Sequence, residues 1–312
     1  MAFQHTSVMP NQVLAYQNLK PADICVDCTL GGCGHALATL RAIGSGGLLI
    51  GIDQDMDAIA NARRVLQPFE DNVRLYHNNF SDLPGILKDA GIHAVNSILI
   101  DLGFSLNQLT QSKRGFSFNK EEPLDMRMDM RNSLTAHQVV NTYSEKQLVD
   151  IFFTYGEERF SRRIARAITE KRICAPIATS LELARVIENA VPAHARAKQK
   201  IHPATRVFQA LRIVVNRELE RLEAFMQAVP SMLLKDGRIS IISFHSLEDR
   251  IVKQRLRAFE NGCTCPRQFP KCICGFVKQM KSITRKPVTA EVDELEANPM
   301  ARSAKLRVAQ RV

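Results

Sequence analysis

Three aspartates and a cluster of glycines carry the residue types and spacing best suited to chemistry in this chain. Asp27 lies in the apolar run 24–28, Asp53 closes the run 48–52, and Asp101 closes the run 98–101. Gly31, Gly32 and Gly34 fall between the first two acids. Glycines let backbone N–H groups approach a ligand, and the start of a helix behind them favours negative charge. An ionised acid at the end of the second run can accept hydrogen bonds from both hydroxyls of a ribose. Asp27, just before the glycine loop, stands where an acid can approach the amino group of a ligand.

The elements that must position these residues follow from the same stretch. Run 24–28 reads as a buried strand, because it carries little polar periodicity. A helix-like segment over 35–43, a turn at 44–47 and a second strand over 48–52 complete the first half of a nucleotide-binding α/β fold. A dinucleotide fingerprint needs a third glycine in G-x-G-x-x-G, and Leu37 stands in its place. An acid at Asp27 is more typical of S-adenosylmethionine sites. On the loop alone, an ordinary βαβ turn with glycines for geometry stays open beside both ligand readings. A third strand over 73–76 leads to 78–82, where polar groups and the ring of Phe80 can edge an adenine. Ligands of open α/β sheets bind at the carboxyl ends of strands, so Asp27, Asp53, Phe80 and Asp101 are expected to converge there.

At 312 residues the chain can build one large core or two modest ones. It has 45% hydrophobic and 24% charged residues, no apolar run of membrane-spanning length and no basic-then-apolar start. The expectation is a cytoplasmic protein with no membrane partner. Eight cysteines in this length do not make a secreted disulfide scaffold. The net charge of +10 is uneven: residues 1–105 hold 6 Lys+Arg against 10 Asp+Glu, 106–244 hold 22 against 15, and 245–312 hold 14 against 7. An acidic first third beside two basic regions points to a polyanionic partner, nucleic acid first, with solvated helix faces as the plainer alternative.

Beyond residue 106 the pattern changes. No clear strand is read between 107 and 203, only helical segments at 145–153, 157–172 and 180–190. The expected organisation is a core split into 1–106 and 204–312 by an inserted helical substrate-recognition domain over 107–203. Arg159, Arg162, Arg163 and Arg166 give the second of these helices a basic face, for RNA or for solvent. Segment 124–129 alternates charge with Leu and Met, as an ion-pair clamp or part of a substrate cleft. One long helix is expected over 203–226, since Phe208, Leu211, Val215, Leu219, Leu222 and Met226 recur at spacings of three and four. Strands follow at 238–243 and 303–308, and His245 after the first of them reads as a capping or structural histidine. Cys263, Cys265, Cys272 and Cys274 could hold zinc tetrahedrally; free thiols or a disulfide are the alternative.

Ten blocks occur in order along the chain: HTSVMP, DCTLGGCGH, GIDQD, DLGFS with NQL, RGFSF, LDMRMD, YGEERFSRRIARAI, HPATRVFQALRIVVNREL, GRISIISFHSLEDRIVK and NPMARSAKLRV. Together they resemble the RsmH (MraW) family, bacterial 16S rRNA cytosine-N4-methyltransferases. The resemblance implies a class I (Rossmann-like) S-adenosylmethionine-dependent methyltransferase core with a helical insert. It implies S-adenosyl-L-methionine as the methyl donor and a decoding-region cytidine of 16S rRNA, within the small ribosomal subunit, as acceptor. Carried over by motif, the cofactor contacts are Cys33, Gly34, His35, Asp53, Phe80, Asp101 and Gln108. Three positions depart from the family pattern: Cys33 for glycine, Leu106-Asn107 for Ser-Pro before Gln108, and Met300 for arginine.

The acceptor sets the chemical problem. The exocyclic amine of cytosine shares its lone pair with the ring, so an enzyme must align it with the methyl group and stabilise its developing positive charge. Asp101 is the candidate catalytic residue, with a carbonyl between Leu102 and Ser105 as the alternative acceptor. Phe104 can stack on a flipped base or fill the core. This chemistry needs no metal, and none is assigned to the site. The rival readings are a non-catalytic RNA-binding protein on a cofactor fold and, more distantly, a nicotinamide-dependent oxidoreductase.

Overall fold

The computed structural model describes residues 7–104, 106–199, 201–266, 268 and 273–312. His5 and Thr6 of the first motif, Ser105 and Cys272 lie outside the described residues. The chain divides into two compact units: the residues through Gly103 with Leu219–Val312, and Phe104–Glu218.

Among its described residues the first unit has seven strands: β1 Ile24–Asp27, β2 Leu48–Asp53, β3 Val73–His77, β4 Val95–Asp101, β5 Leu233–Ser243, β6 Met280–Ser282 and β7 Lys305–Arg311. Their order is β3-β2-β1-β4-β5-β7-β6; the first five are parallel neighbours, and β7 runs antiparallel to β5 and β6. This is the doubly wound, Rossmann-like fold expected from the sequence. β2 and β4 are apolar nearly throughout because helices cover both faces of a parallel sheet, so no polar alternation is left to read. The order reverses between β1 and β4, the switch point at which α/β sheets open a crevice. Register then fixes the acids. Asp27 pairs with Gly51 and Leu99, so Asp53 and Asp101 each project two residues beyond it.

Helix Gly34–Ile43 buries His35, Ala36, Thr39, Leu40 and Ile43, a single stripe, and stops at Gly44. Helix Met56–Val65 is capped by Asp55, whose side chain accepts the Asp57 N–H. His245 caps helix Ser246–Asn261 in a reciprocal box with Glu248, as its position after β5 suggested. That helix is clamped to β7 through Asp249, which receives Arg307 Nε at 2.6 Å.

The second unit is helical, with Ala136–Thr142, Glu145–Gly156, Ser161–Cys174, Ser180–Ala190 and Ala204–Asn216 around one apolar core. One isolated bridge, Pro123 to Thr179, is the sole β pairing among its described residues. The single helix expected over 203–226 is two helices, Ala204–Asn216 and Glu218–Met232, broken at Arg217 with φ 51°. The first of these packs within the helical core, so this unit extends to Glu218 rather than ending at residue 203. Segment 124–129 is an ion-pair clamp: Arg127 grips Asp125 through Nε at 2.8 Å and NH2 at 2.7 Å. Asn216 fixes it from the helix, accepting the Met128 N–H and donating to the Met126 carbonyl, both at 2.8 Å.

Candidate functional site

The three acids come together at the carboxyl edge of β1, β2 and β4, and each is wired differently. Asp53 accepts the Gly31 N–H at Oδ2, 3.0 Å, and the Asp55 N–H at Oδ1, 2.9 Å. The Gln54 backbone N–H bonds the same carboxylate, and these three donors do not exhaust its acceptor capacity. Asp101 accepts the Gly103 N–H at Oδ1, 2.9 Å, while its Oδ2 lies 4.0 Å from His35 Nε2. Asp27 accepts the Thr29 N–H at Oδ1, 3.2 Å. Its Oδ2 is buried with no hydrogen-bond partner among the described residues. A carboxylate oxygen so placed lacks an N–H or cation that a ligand can supply.

Burial governs the protonation of all three. It pushes Asp27 up to about 8, with Asp101 and Asp53 as neighbouring negative charges adding to the effect. It pushes Asp101 up to about 7 against the opposing hydrogen bond from Gly103, and Asp53 up to about 6 against those from Asp55 and Gly31. Three crowded acids without a cation favour the neutral form; a bound cation would reverse this.

The loop between β1 and its helix is held from several sides. Cys33 sits at φ 67°, a conformation that glycine adopts without strain and a side chain rarely takes. Its thiol is fully buried and pushed up to about 12 by that burial, so it is no nucleophile. Asn61 Nδ2 donates to the Gly31 carbonyl at 3.4 Å and lies 3.9 Å from Cys33 Sγ. Gly34 is needed for closeness: a Cβ there would lie 2.1 Å from Ser7 Oγ. Gly103 is needed likewise, since a Cβ would meet the Phe244 ring at 2.7 Å and Asp101 Oδ1 at 3.0 Å.

Phe80 opens the turn after β3, where the sequence reading puts a ring able to edge an adenine. It is 8% exposed and packs edge-on against Phe225, with centroids 5.4 Å apart. What its turn presents is the polar neighbour Asn79, whose Nδ2 donates to Gln54 Oε1 at 2.8 Å. Arg221 donates to the same Gln54 oxygen at 2.9 Å. Gln108 is buried on the short helix Leu106–Thr110 of the helical unit, where its carbonyl accepts from Ser112 Oγ at 2.7 Å. Phe104, in that unit too, lies under the Arg212 guanidinium at 5.0 Å.

Ser7, Thr29, Asn61, Gln54 and Arg221 were not singled out from the sequence. Ser7, Thr29 and Gln54 lie inside quoted motifs, which is the signal that pointed nearest to them. The others are polar residues whose partners are distant in sequence.

A model of the MraW methylase family matches residues 2–312. A protein of Desulforapulum autotrophicum named ribosomal RNA small subunit methyltransferase H is 59% identical over 312 residues, covering all of both chains. Proteins of the same name from Desulfosudis oleivorans and a Geobacter species are 50% identical, over all of both chains, and 48% identical, over 99% of each. With motifs, fold and full-length similarity in agreement, the chain belongs to the MraW methylase family.

Proposed function

We propose that the protein transfers a methyl group from S-adenosylmethionine to N4 of a cytidine in the decoding region of bacterial 16S rRNA, within the small ribosomal subunit and in the cytoplasm. The observation that carries the donor assignment is the meeting of Asp27, Asp53 and Asp101 around a glycine loop at the sheet's switch point. Full-length similarity to proteins named for methylation of small-subunit ribosomal RNA supports the acceptor class.

The donor supplies an electrophilic methyl group on a cationic sulfur. Asp53 takes the ribose hydroxyls with its remaining lone pairs. Cys33, Gly34 and His35 offer loop backbone to the methionine moiety, and the unpaired Oδ2 of Asp27 meets its ammonium. Phe80, packed in the core, contributes its turn rather than a stacking face. Asp101 is the catalytic residue in this reading. With Oδ1 committed to Gly103, Oδ2 is the oxygen left to accept an N–H of the target amine and offset its developing charge. A carboxylate raised to about 7 is also basic enough to take the proton the amine must lose. The helical unit, with its exposed Arg162 and Arg163, recognises the RNA.

The test is mass spectrometry of 16S rRNA nucleosides from cells with and without the gene. N4-methylated cytidine should vanish on deletion and return with the intact gene; an unchanged modification overturns the proposal.

A further inference from the structure

Loop 262–279, between helix Ser246–Asn261 and β6, holds three cysteines among its described residues that methyl transfer does not use. The sulfurs of Cys263, Cys265 and Cys274 all lie within 4.8 Å of one another, with Cys263 and Cys274 3.6 Å apart. A disulfide requires about 2.05 Å, so Cys263 and Cys274 are not bonded to each other. In a tetrahedral zinc site with metal–sulfur bonds of about 2.3 Å, neighbouring thiolates sit about 3.8 Å apart. The 3.6 Å between Cys263 and Cys274 is close to that edge, and Cys265 lies within 4.8 Å of both. Cys265 Sγ also accepts the Ile273 N–H at 3.2 Å, the kind of outer contact that orients a ligating sulfur.

The loop's described residues form no helix or strand, and Ile273 and Val277 are each 75% exposed. Exposed segments without a core of their own are often stapled by metal. The stem is closed, with the Gln279 N–H on the Phe259 carbonyl at 3.0 Å and Lys278 on Glu260 at 3.1 Å. Stretch 262–279 contains no acid, while Arg267, Lys271 and Lys278 are cationic. A sulfur-only donor set with no carboxylate selects zinc over magnesium, calcium or manganese.

We propose that Cys263, Cys265 and Cys274 bind a zinc ion that fixes this loop, their thiol protons passing to solvent on binding. Cys272 would complete a second C-x-C pair in sequence and lies outside the described residues. The site is separate from the methyl-transfer residues and serves folding of the loop.

The full chain, untagged and purified under reducing conditions from zinc-supplied cells, should carry about one zinc per chain by elemental analysis. Cys263→Ser, Cys265→Ser and Cys274→Ser should each lose it, while Cys174→Ser in the helical unit retains it. Cobalt-loaded protein should show thiolate charge-transfer bands and the intense visible bands of a tetrahedral centre. Chelation should open 262–279 to protease with the circular dichroism of the rest unchanged. Zinc at background in the loaded wild type, or zinc unchanged in the triple serine variant, overturns the proposal.

Discussion

The backbone N–H of Asp101 donates to Thr29 Oγ1 at 2.8 Å. Thr29 in turn gives its own N–H to Asp27, so one threonine ties the acids of β1 and β4 across the switch point. Thr29→Val should orphan the Asp101 N–H, and a buried unsatisfied donor costs about 1–3 kcal/mol. Thermal melting should show a lowered Tm for valine and a near-normal one for serine, which keeps the acceptor. Equal Tm values for the two variants would remove the bridge from the account.

Asp53→Ala is expected to abolish measurable donor binding, since charged hydrogen bonds to hydroxyls contribute roughly 1.5–3 kcal/mol each. It should also destabilise the protein, because the Gly31 and Asp55 N–H groups lose their acceptor. Asp53→Asn is the milder variant: it keeps one of the two acceptor oxygens and should weaken the donor about tenfold. Calorimetry and melting on both variants decide it, and native donor affinity in folded Asp53→Ala sinks the ribose assignment.

Binding of the donor should release protons. In the free protein Asp27, Asp101 and Asp53 are raised to about 8, 7 and 6 from an ordinary 3.8. Between 3.8 and these values the folded state binds more protons than the unfolded chain, so stability falls as pH rises through this window. A cationic ligand favours the ionised acids, so its affinity should climb from about pH 6 to pH 8. Asp27→Asn should flatten the stability profile and raise Tm at the alkaline end while weakening the donor. Calorimetry in buffers of different ionisation enthalpy reads the proton count; proton uptake, or affinity falling with pH, contradicts the electrostatic picture.

Much of this site was legible because its acids end runs that are buried on both faces. Runs 48–52 and 98–101 have no polar alternation, so their boundaries and closing acids are visible without knowing the sheet order. Thr29, Asn61 and Ser7 were not legible, since each acts on a partner brought near only by folding. The break at Arg217 was hidden for another reason. The apolar spacing of Phe208, Leu211, Val215, Leu219 and Leu222 continues across it, and a left-handed arginine carries no glycine-like signal. The edge-on contact of Phe80 with Phe225 was not legible, because the polarity of the loop says nothing of a ring brought near only by folding.

Arg162 and Arg163 lie exposed on helix Ser161–Cys174, whereas Arg166 is paired with Glu170 at 2.8 Å. If the first two meet phosphates, replacing both should reduce the log–log salt slope of RNA binding by about 1.4–1.8. Arg166→Ala should change it less. An unaltered slope and affinity in the double variant would identify a face that is merely solvated.

Asp101 separates catalysis from donor binding. Its Oδ1 is fixed by Gly103, and Gly103 cannot carry a side chain without striking that oxygen and the Phe244 ring, so the carboxylate's orientation is set locally. Asp101→Asn preserves the acceptor for Gly103 if its carbonyl takes the Oδ1 position. The amide N–H2 then stands where Oδ2 was, presenting a donor to an amine that needs an acceptor. Donor affinity should fall modestly, because one neighbouring charge is lost, and single-turnover methyl transfer at saturating donor should slow by about 10²–10³. A merely structural acid predicts a different result: lowered Tm with affinity and rate declining together. Donor titration, single-turnover transfer to undermethylated small subunits and melting, on one preparation of the variant, distinguish these outcomes. Full-rate transfer with native donor affinity would refute the catalytic assignment.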